Sequence, residues 1–292
     1  MTDIADNSCE PISRHFHSQG LKLHYLDWGN QGAPTLLLLH GMRDHARSWD
    51  WTARALRHDY HVVALDLRGH GDSDWSSDHA YGLPYHMVDL VDLIDTLGEE
   101  PISIVSHSYS GNTSSRYAGL FPERVNKLVV VDGLGPTPAI ARAWASTAAV
   151  ERMTNFIAHR RASALREGRR MANIAEAVER MAKANPHLSP DQVQHLAIHG
   201  VREYADGYGW KYDPLVNCFP AEEFAVDAAV FWQMVTAPTL LFWGSESWVS
   251  NPEEDGRAVH FRDHHTIVFD RAGHWLHHDR FDDFIAELRA FL

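Results

Sequence analysis

Short apolar runs punctuate the 292-residue chain at Thr35–Leu39 (TLLLL), His61–Leu67 (HVVALDL), Ile102–Val105 (ISIV), Lys127–Val131 (KLVVV) and Thr239–Trp243 (TLLFW). They are continuous rather than alternating, the pattern of strands covered on both faces of a parallel sheet. Thr266–Phe269 adds a further strand-like run. Between the runs lie segments of helical period. Ser48–Leu56, Pro84–Leu97, Thr113–Leu120 and Asp279–Leu292 are predicted helices, and in the second Met87, Leu90, Val91, Ile94 and Leu97 fall on one face. Strand and helix in alternation predict an α/β fold with a doubly wound, mostly parallel sheet. In such folds ligands bind beyond the carboxyl ends of the strands.

The alternation lapses between about Pro136 and Trp232. No clear buried strand occurs there, while Ala141–Leu165 and Asn173–Ala184 carry helix-forming composition and Tyr204–Tyr212 (YADGYGWKY) is dense in aromatics. The expected organisation is therefore a core formed by residues 20–135 and 233–292, a helical cap at 136–232 inserted after strand six, and an N-terminal extension at 1–19.

Charge narrows the partners. With 26 basic and 39 acidic residues the formal net charge is −13, which disfavours nucleic acid and anionic membrane surfaces, since both demand clustered Lys and Arg. Cys9 and Cys218 are the two cysteines, too few for a disulfide framework. The polar start MTDIADNSCE does not read as a signal peptide, and no apolar run approaches the ~18 residues expected of a membrane span. The expectation is a cytoplasmic protein acting on a small molecule, with homo-oligomer formation left open.

Chemistry is suggested by IVSHSYSG at 104–111, where a strand-like run enters a small-x-Ser-x-small turn before a helical segment. That context suits a nucleophile elbow at Ser108, although Ser106 and Ser110 replace the usual glycines; a helix-capping serine is the plainer alternative. A base is offered by His274 in RAGHW, on the loop after the last strand-like run. His40-Gly41-Met42 follows a buried strand, so the Met42 N–H can join that of Tyr109 in an oxyanion hole. His277 and His278 are expected to pack or face solvent. The adjacent histidine pairs lack metal-site spacing, so neither metal nor other cofactor is expected.

Taken in order, His40-Gly41, DLRGHGDS at 66–73, SHSYSG and AGHW at 272–275 resemble the α/β-hydrolase fold family, in particular its members with a helical cap, over residues 20–292. The resemblance implies Ser108 as nucleophile, His274 as base and the N–H groups of Met42 and Tyr109 as oxyanion donors. It departs from the family at the acid: where an Asp commonly follows the seventh strand, the chain reads Gly244-Ser245-Glu246-Ser247. Asp132, ending the run KLVVVD in the position some relatives use, is the first candidate, and Glu246 the alternative. A serine nucleophile implies hydrolysis of a carboxylic ester through an acyl-enzyme, as in carboxylesterases; thioester, lactone and carbon–carbon hydrolysis use the same machinery. A weakly active member that merely binds a small molecule is the rival reading. Trp144, Tyr208, Trp210, Tyr212, Trp248 and Trp275 are expected to line a pocket for a largely apolar substrate.

Overall fold

A computed structural model describes residues 10–165, 170–218 and 227–292. Its strands, in chain order, are β1 (Ile12–Ser18), β2 (Leu21–Asp27), β3 (Thr35–Leu39), β4 (His61–Leu65), β5 (Ile102–His107), β6 (Val125–Val131), β7 (Val201–Tyr204), β8 (Gly207–Trp210), β9 (Thr239–Gly244) and β10 (His264–Phe269). An eight-stranded sheet has the order β1-β2-β4-β3-β5-β6-β9-β10. β2 runs antiparallel to both β1 and β4, and every other pairing is parallel.

The continuous apolar runs explain this sheet, because successive side chains must enter two different cores. Leu37, Leu39, Val63, Leu65, Ile104, Leu128, Val130 and Leu241 pack on one face. Leu36, Leu38, Val62, Ala64, Val105, Val129, Val131 and Phe242 pack on the other. Helices α1 (Asp50–Leu56), α2 (Leu83–Leu97) and α3 (Tyr109–Leu120) follow β3, β4 and β5. Leu90, Leu93 and Ile94 of α2 and Tyr117 and Ala118 of α3 close the first core, whereas Ala53 and Leu56 of α1 close the second.

Between β6 and β9 lie α4 (Pro138–Ser146), α5 (Ala149–Ala164), α6 (Ile174–Ala184), α7 (Pro190–Gly200), the β7–β8 hairpin and α8 (Ala228–Trp232). The starts of α4, α6 and α7 are capped: the side chains of Thr137, Asn173 and Ser189 accept from the backbone N–H groups of Ile140, Glu176 and Gln192. Short α9 (Pro252–Asp255) and α10 (Leu276–Asp279) precede the terminal α11 (Phe281–Phe291), which sends Phe284 and Leu288 into the second core. Among the described residues no helix is long and apolar enough to cross a membrane.

Three expectations need correction. Residues 12–18 are not an extension but edge strand β1, paired with β2 from Ile12↔Asp27 to Ser18↔Leu21. A two-residue turn with positive φ at Gln19 (50°) and Gly20 (80°) makes the hairpin. An exposed edge strand needs few apolar residues, so its sequence carries no buried-strand signature; residues 1–9 lie outside the description. The helix expected over Ala141–Leu165 is two helices, broken where Thr147 (φ −79°, ψ 133°) leaves helical geometry. The insertion also contains a hairpin, β7–β8, within the aromatic stretch at 204–212 and just before it.

Candidate active site

The carboxyl ends of the adjacent strands β5, β6 and β9 converge with the loop after β10. Ser108 sits between β5 and α3 at φ 54°, ψ −120°, a backbone conformation costing a non-glycine residue on the order of 1–3 kcal/mol. The fold holds it there through continued sheet pairing, since Ser108 N–H donates to Val131 O at 2.9 Å and Gly111 N–H to Ser108 O at 2.9 Å. A Cβ added at Gly133 would stand only 2.2 Å from Ser108 O, so the β6 loop can press against the elbow only as glycine.

Serines replace glycines on either side because each hydroxyl has a buried acceptor. Ser106 Oγ lies 2.7 Å from Ser114 Oγ and donates to Val129 O at 3.1 Å. Ser110 Oγ donates to His40 O at 2.5 Å. Both side chains are thus satisfied without water in the tightest part of the fold.

A chain of hydrogen bonds leaves the elbow. Ser108 Oγ–H donates to His274 Nε2 at 2.8 Å, and His274 Nδ1–H donates to Asp132 Oδ2 at 2.5 Å. Asp132 directly follows β6 at φ 50°, a region Asp tolerates better than most residues, and its side chain is fully buried. Ser247, at the position where the family's Asp is common, donates its hydroxyl to the same Oδ2 at 2.5 Å and accepts from Val249 N–H at 3.1 Å. Glu246, the alternative acid, is half-exposed and 3.6 Å from His187 Nε2. Its backbone N–H donates to Ala272 O at 2.9 Å, and its side chain is not among the hydrogen-bond partners of His274.

The His274 loop is supported from beneath. His107 Nε2–H donates to His274 O at 2.9 Å; burial, then the neighbouring His274, hold His107 neutral, well below the ordinary histidine range. Asp279 Oδ2 accepts from Gly273 N–H at 2.8 Å and anchors the loop; burial raises its carboxyl above the usual range. His40 is buried, donates from Nδ1 to Gly41 O at 2.6 Å and accepts Leu67 N–H on Nε2 at 3.1 Å. Desolvation lowers its pKa to about 3, so it joins two loops as a neutral ring. His277 and His278 are buried too, His277 stacking on Trp49 at 4.7 Å between ring centroids.

The chain passes closely over Ser108 at Gly41, where a Cβ would lie 3.0 Å from Ser108 Cβ and 2.7 Å from His107 Nδ1. Met42 follows directly, and Tyr109 opens α3, where first-turn N–H groups point out past the helix end. In the DLRGHGDS loop Asp66 is buried, accepting from Ala46 N–H at 2.7 Å, Asp72 N–H at 3.0 Å and His24 Nδ1–H at 2.7 Å. Arg68 makes two contacts to Asp89, at 2.5 and 2.7 Å. This loop ties the sheet together rather than facing the serine.

Ser108, Asp132 and His274 open onto a cavity of about 250 Å³. Of the six aromatics expected there, Trp144 and Trp248 line it. The other four do not. Tyr208 and Trp210 lie on β8 against Met171 and Val201, Tyr212 packs with Tyr81 and Leu215, and Trp275 packs with Leu188 and Val193. The hairpin spends Tyr208 and Trp210 on a small core of the insertion, whereas Tyr212 and Trp275 pack where the insertion meets Tyr81, Met42 and Trp51. Lining residues that the sequence reading missed include Asn112, Thr137, Ile140 and Val249. Spacing marks two of them: Asn112 is one turn beyond Ser108, and Ile140 is one turn before Trp144.

A hydroxyl, an imidazole and a buried carboxylate in series, at the strand ends of an α/β sheet, define a hydrolase-type centre. The α/β-hydrolase fold family model matches residues 34–281, and the chain belongs to that family. Epoxide hydrolase 4 of Mus musculus is 26% identical over 94% of this chain and 77% of its own length. An esterase of Mycobacterium tuberculosis is 28% identical over 87% and 81%. Among solved structures, the thioesterase domain from the curacin biosynthetic pathway superposes with a TM-score of 0.81 at 22% identity, covering 96% of this chain and 99% of that one. E-2-(acetamidomethylene)succinate hydrolase gives 0.79 at 20% identity over 96% and 98%.

Proposed function

We propose that the protein hydrolyses carboxylic esters through an acyl-enzyme formed on Ser108. The observation that carries this reading is the unbroken series Ser108 Oγ, His274 Nε2, His274 Nδ1, Asp132 Oδ2 at the mouth of a cavity. In the forward step His274 Nε2 takes the Ser108 proton as Oγ attacks the acyl carbon. The buried Asp132 carboxylate fixes the His274 tautomer and stabilises the imidazolium. The N–H groups of Met42 and Tyr109 receive the oxyanion, an interaction whose loss typically costs about 10²- to 10³-fold. Collapse expels the alkoxide, which collects the proton from His274; water then repeats the sequence on the acyl-enzyme and releases the acid.

Similarity to an epoxide hydrolase does not favour epoxide opening, because the family resemblance implies a carboxylate nucleophile for that chemistry and this chain has serine at 108. The cavity supports a largely apolar acyl substrate, since Pro136, Ile140, Trp144, Trp248 and Val249 line it. The test is labelling by a fluorophosphonate probe alongside hydrolysis of p-nitrophenyl esters, thioesters and lactones. Wild type should label and turn over esters, and Ser108→Ala should do neither. Labelling unchanged in Ser108→Ala overturns the nucleophile; a folded wild type that neither labels nor turns over favours a binding protein.

A further inference from the structure

A second cavity, of about 630 Å³, lies beside the first, and Pro136 and Trp144 line both. α4 is the partition. Ile140 and Trp144, one helical turn apart, face the serine cavity, while Ala141 and Ala145, one residue on from each, line the larger one together with Trp144. A helix with space on both sides gains little burial, and none of the residues of α4 is fully buried. Across the larger cavity Leu134, Ala229 and Trp232 form an apolar strip, flanked by the charged or polar side chains of Arg116, Arg152, Asp227, Asp255, Arg257 and His260. A Trp in that position is the bulkiest side chain the wall can carry.

Volume sets the consequence. An apolar cavity of about 150 Å³ takes up benzene, so 250 Å³ beside Ser108 suits a short or ring-sized acyl group and not an extended chain. We propose that Trp144 is the specificity determinant that limits acyl length, and that the larger cavity is the distal acyl subsite for medium- and long-chain acyl groups that its indole closes off. This rests on the ester reading for its kinetic form, but the wall itself is testable without chemistry. Wild type prefers butanoyl to hexanoyl esters; with Trp144→Ala the two cavities join and each further methylene buried contributes about fourfold in affinity.

The experiment compares wild type, Trp144→Ala and Trp144→Ala with Ala145→Trp, which refills the larger cavity from its own side. kcat/KM is measured for p-nitrophenyl butanoate and decanoate, and calorimetry gives the affinities of butanoate and decanoate for the same proteins carrying Ser108→Ala. The decanoyl-to-butanoyl ratio should rise at least tenfold in Trp144→Ala, in both kinetics and binding, and return toward wild type in the double variant. Ratios that superimpose in wild type and Trp144→Ala overturn the proposal. So does a gain that survives Ala145→Trp, because it would come from a loosened helix rather than from the second cavity. If no protein cleaves an ester, the ester reading fails, and the binding ratios still decide the wall.

Discussion

Replacing Asp132 by Asn removes one negative charge and leaves the shape of the site almost unchanged. The wild-type carboxylate is fully buried, and its Oδ2 accepts both from His274 Nδ1–H and from the Ser247 hydroxyl at 2.5 Å. With Asn, an amide oxygen kept at that position preserves the tautomer but loses the charge that stabilises the imidazolium. An amide NH₂ rotated there drives the proton to Nε2, and His274 can no longer accept from Ser108. Either outcome strikes the transition state more than substrate binding, so kcat should fall by about 10⁴-fold with little change in KM. At 1.36 kcal/mol per decade that is about 5.4 kcal/mol. The assay is p-nitrophenyl ester turnover by Asp132→Asn and, in parallel, Glu246→Gln, with circular dichroism and thermal melting to verify folding. Glu246→Gln should stay within about twofold of wild type, because its side chain faces His187 at 3.6 Å. Near-normal turnover by well-folded Asp132→Asn, or an equal loss in Glu246→Gln, would refute the assignment of the acid.

Ser247→Ala removes one charge-assisted hydrogen bond from the acid, worth about 1.5–3 kcal/mol, and should lower kcat about 10- to 100-fold while leaving fluorophosphonate labelling detectable. Gly133→Ala places a Cβ 2.2 Å from Ser108 O; it should abolish turnover and lower the melting temperature, and a fully active, equally stable variant would show that the elbow has slack. Stability should fall steeply in mild acid. Desolvation holds His40 and His278 at a pKa of about 3, with His86, His107 and His277 also well below the ordinary value. The unfolded chain takes up these protons near pH 6.5 and the folded chain does not, so their contribution is intact above that pH and lost as pH falls toward the folded values. Each such histidine withdraws about 1.4 kcal/mol per pH unit, and several together exhaust a typical stability of about 5–15 kcal/mol within two units. Urea midpoints between pH 7 and 4.5 should drop accordingly, and flat midpoints over that range would refute neutral burial.

How much of this could be read from the chain follows from what burial demands of each segment. β3, β4, β5, β6 and β9 are covered on both faces, and double burial writes itself into sequence as uninterrupted Leu and Val. β2 is as well buried toward its end, yet LKLHYLD conceals it, because His24 is inside only by virtue of pairing with Asp66, far away in sequence. The aromatics failed as pocket markers for a related reason. Tyr208 and Trp210 serve a small core within the insertion and Tyr212 one shared with Tyr81 and Met42, and a ring's chemistry is the same whether it faces a ligand or a neighbouring methionine.

The acid shows the limit most sharply. β6 and β9 are paired in register up to Val131↔Phe242, so residues just past the end of either strand lie at similar distances from the loop that carries His274. Either strand end can therefore supply a carboxylate, and a linear sequence holds no information about which side chain turns inward. In the structure Asp132 is the carboxylate hydrogen-bonded to His274, and Ser247 bonds to the same oxygen. A fully buried carboxyl group needs hydrogen-bond donors beyond the imidazole, and the loop after β9 provides one from the position where the family commonly has an Asp. Serine at 247 is then the complement of Asp at 132: an acid at both positions would force two carboxylates onto one imidazole N–H, with one of them driven toward protonation. The double exchange Asp132→Ser with Ser247→Asp follows from this complementarity. It should recover turnover well above Asp132→Ser alone, and failure to exceed that single variant would mean that the β9 end cannot aim a carboxylate at His274.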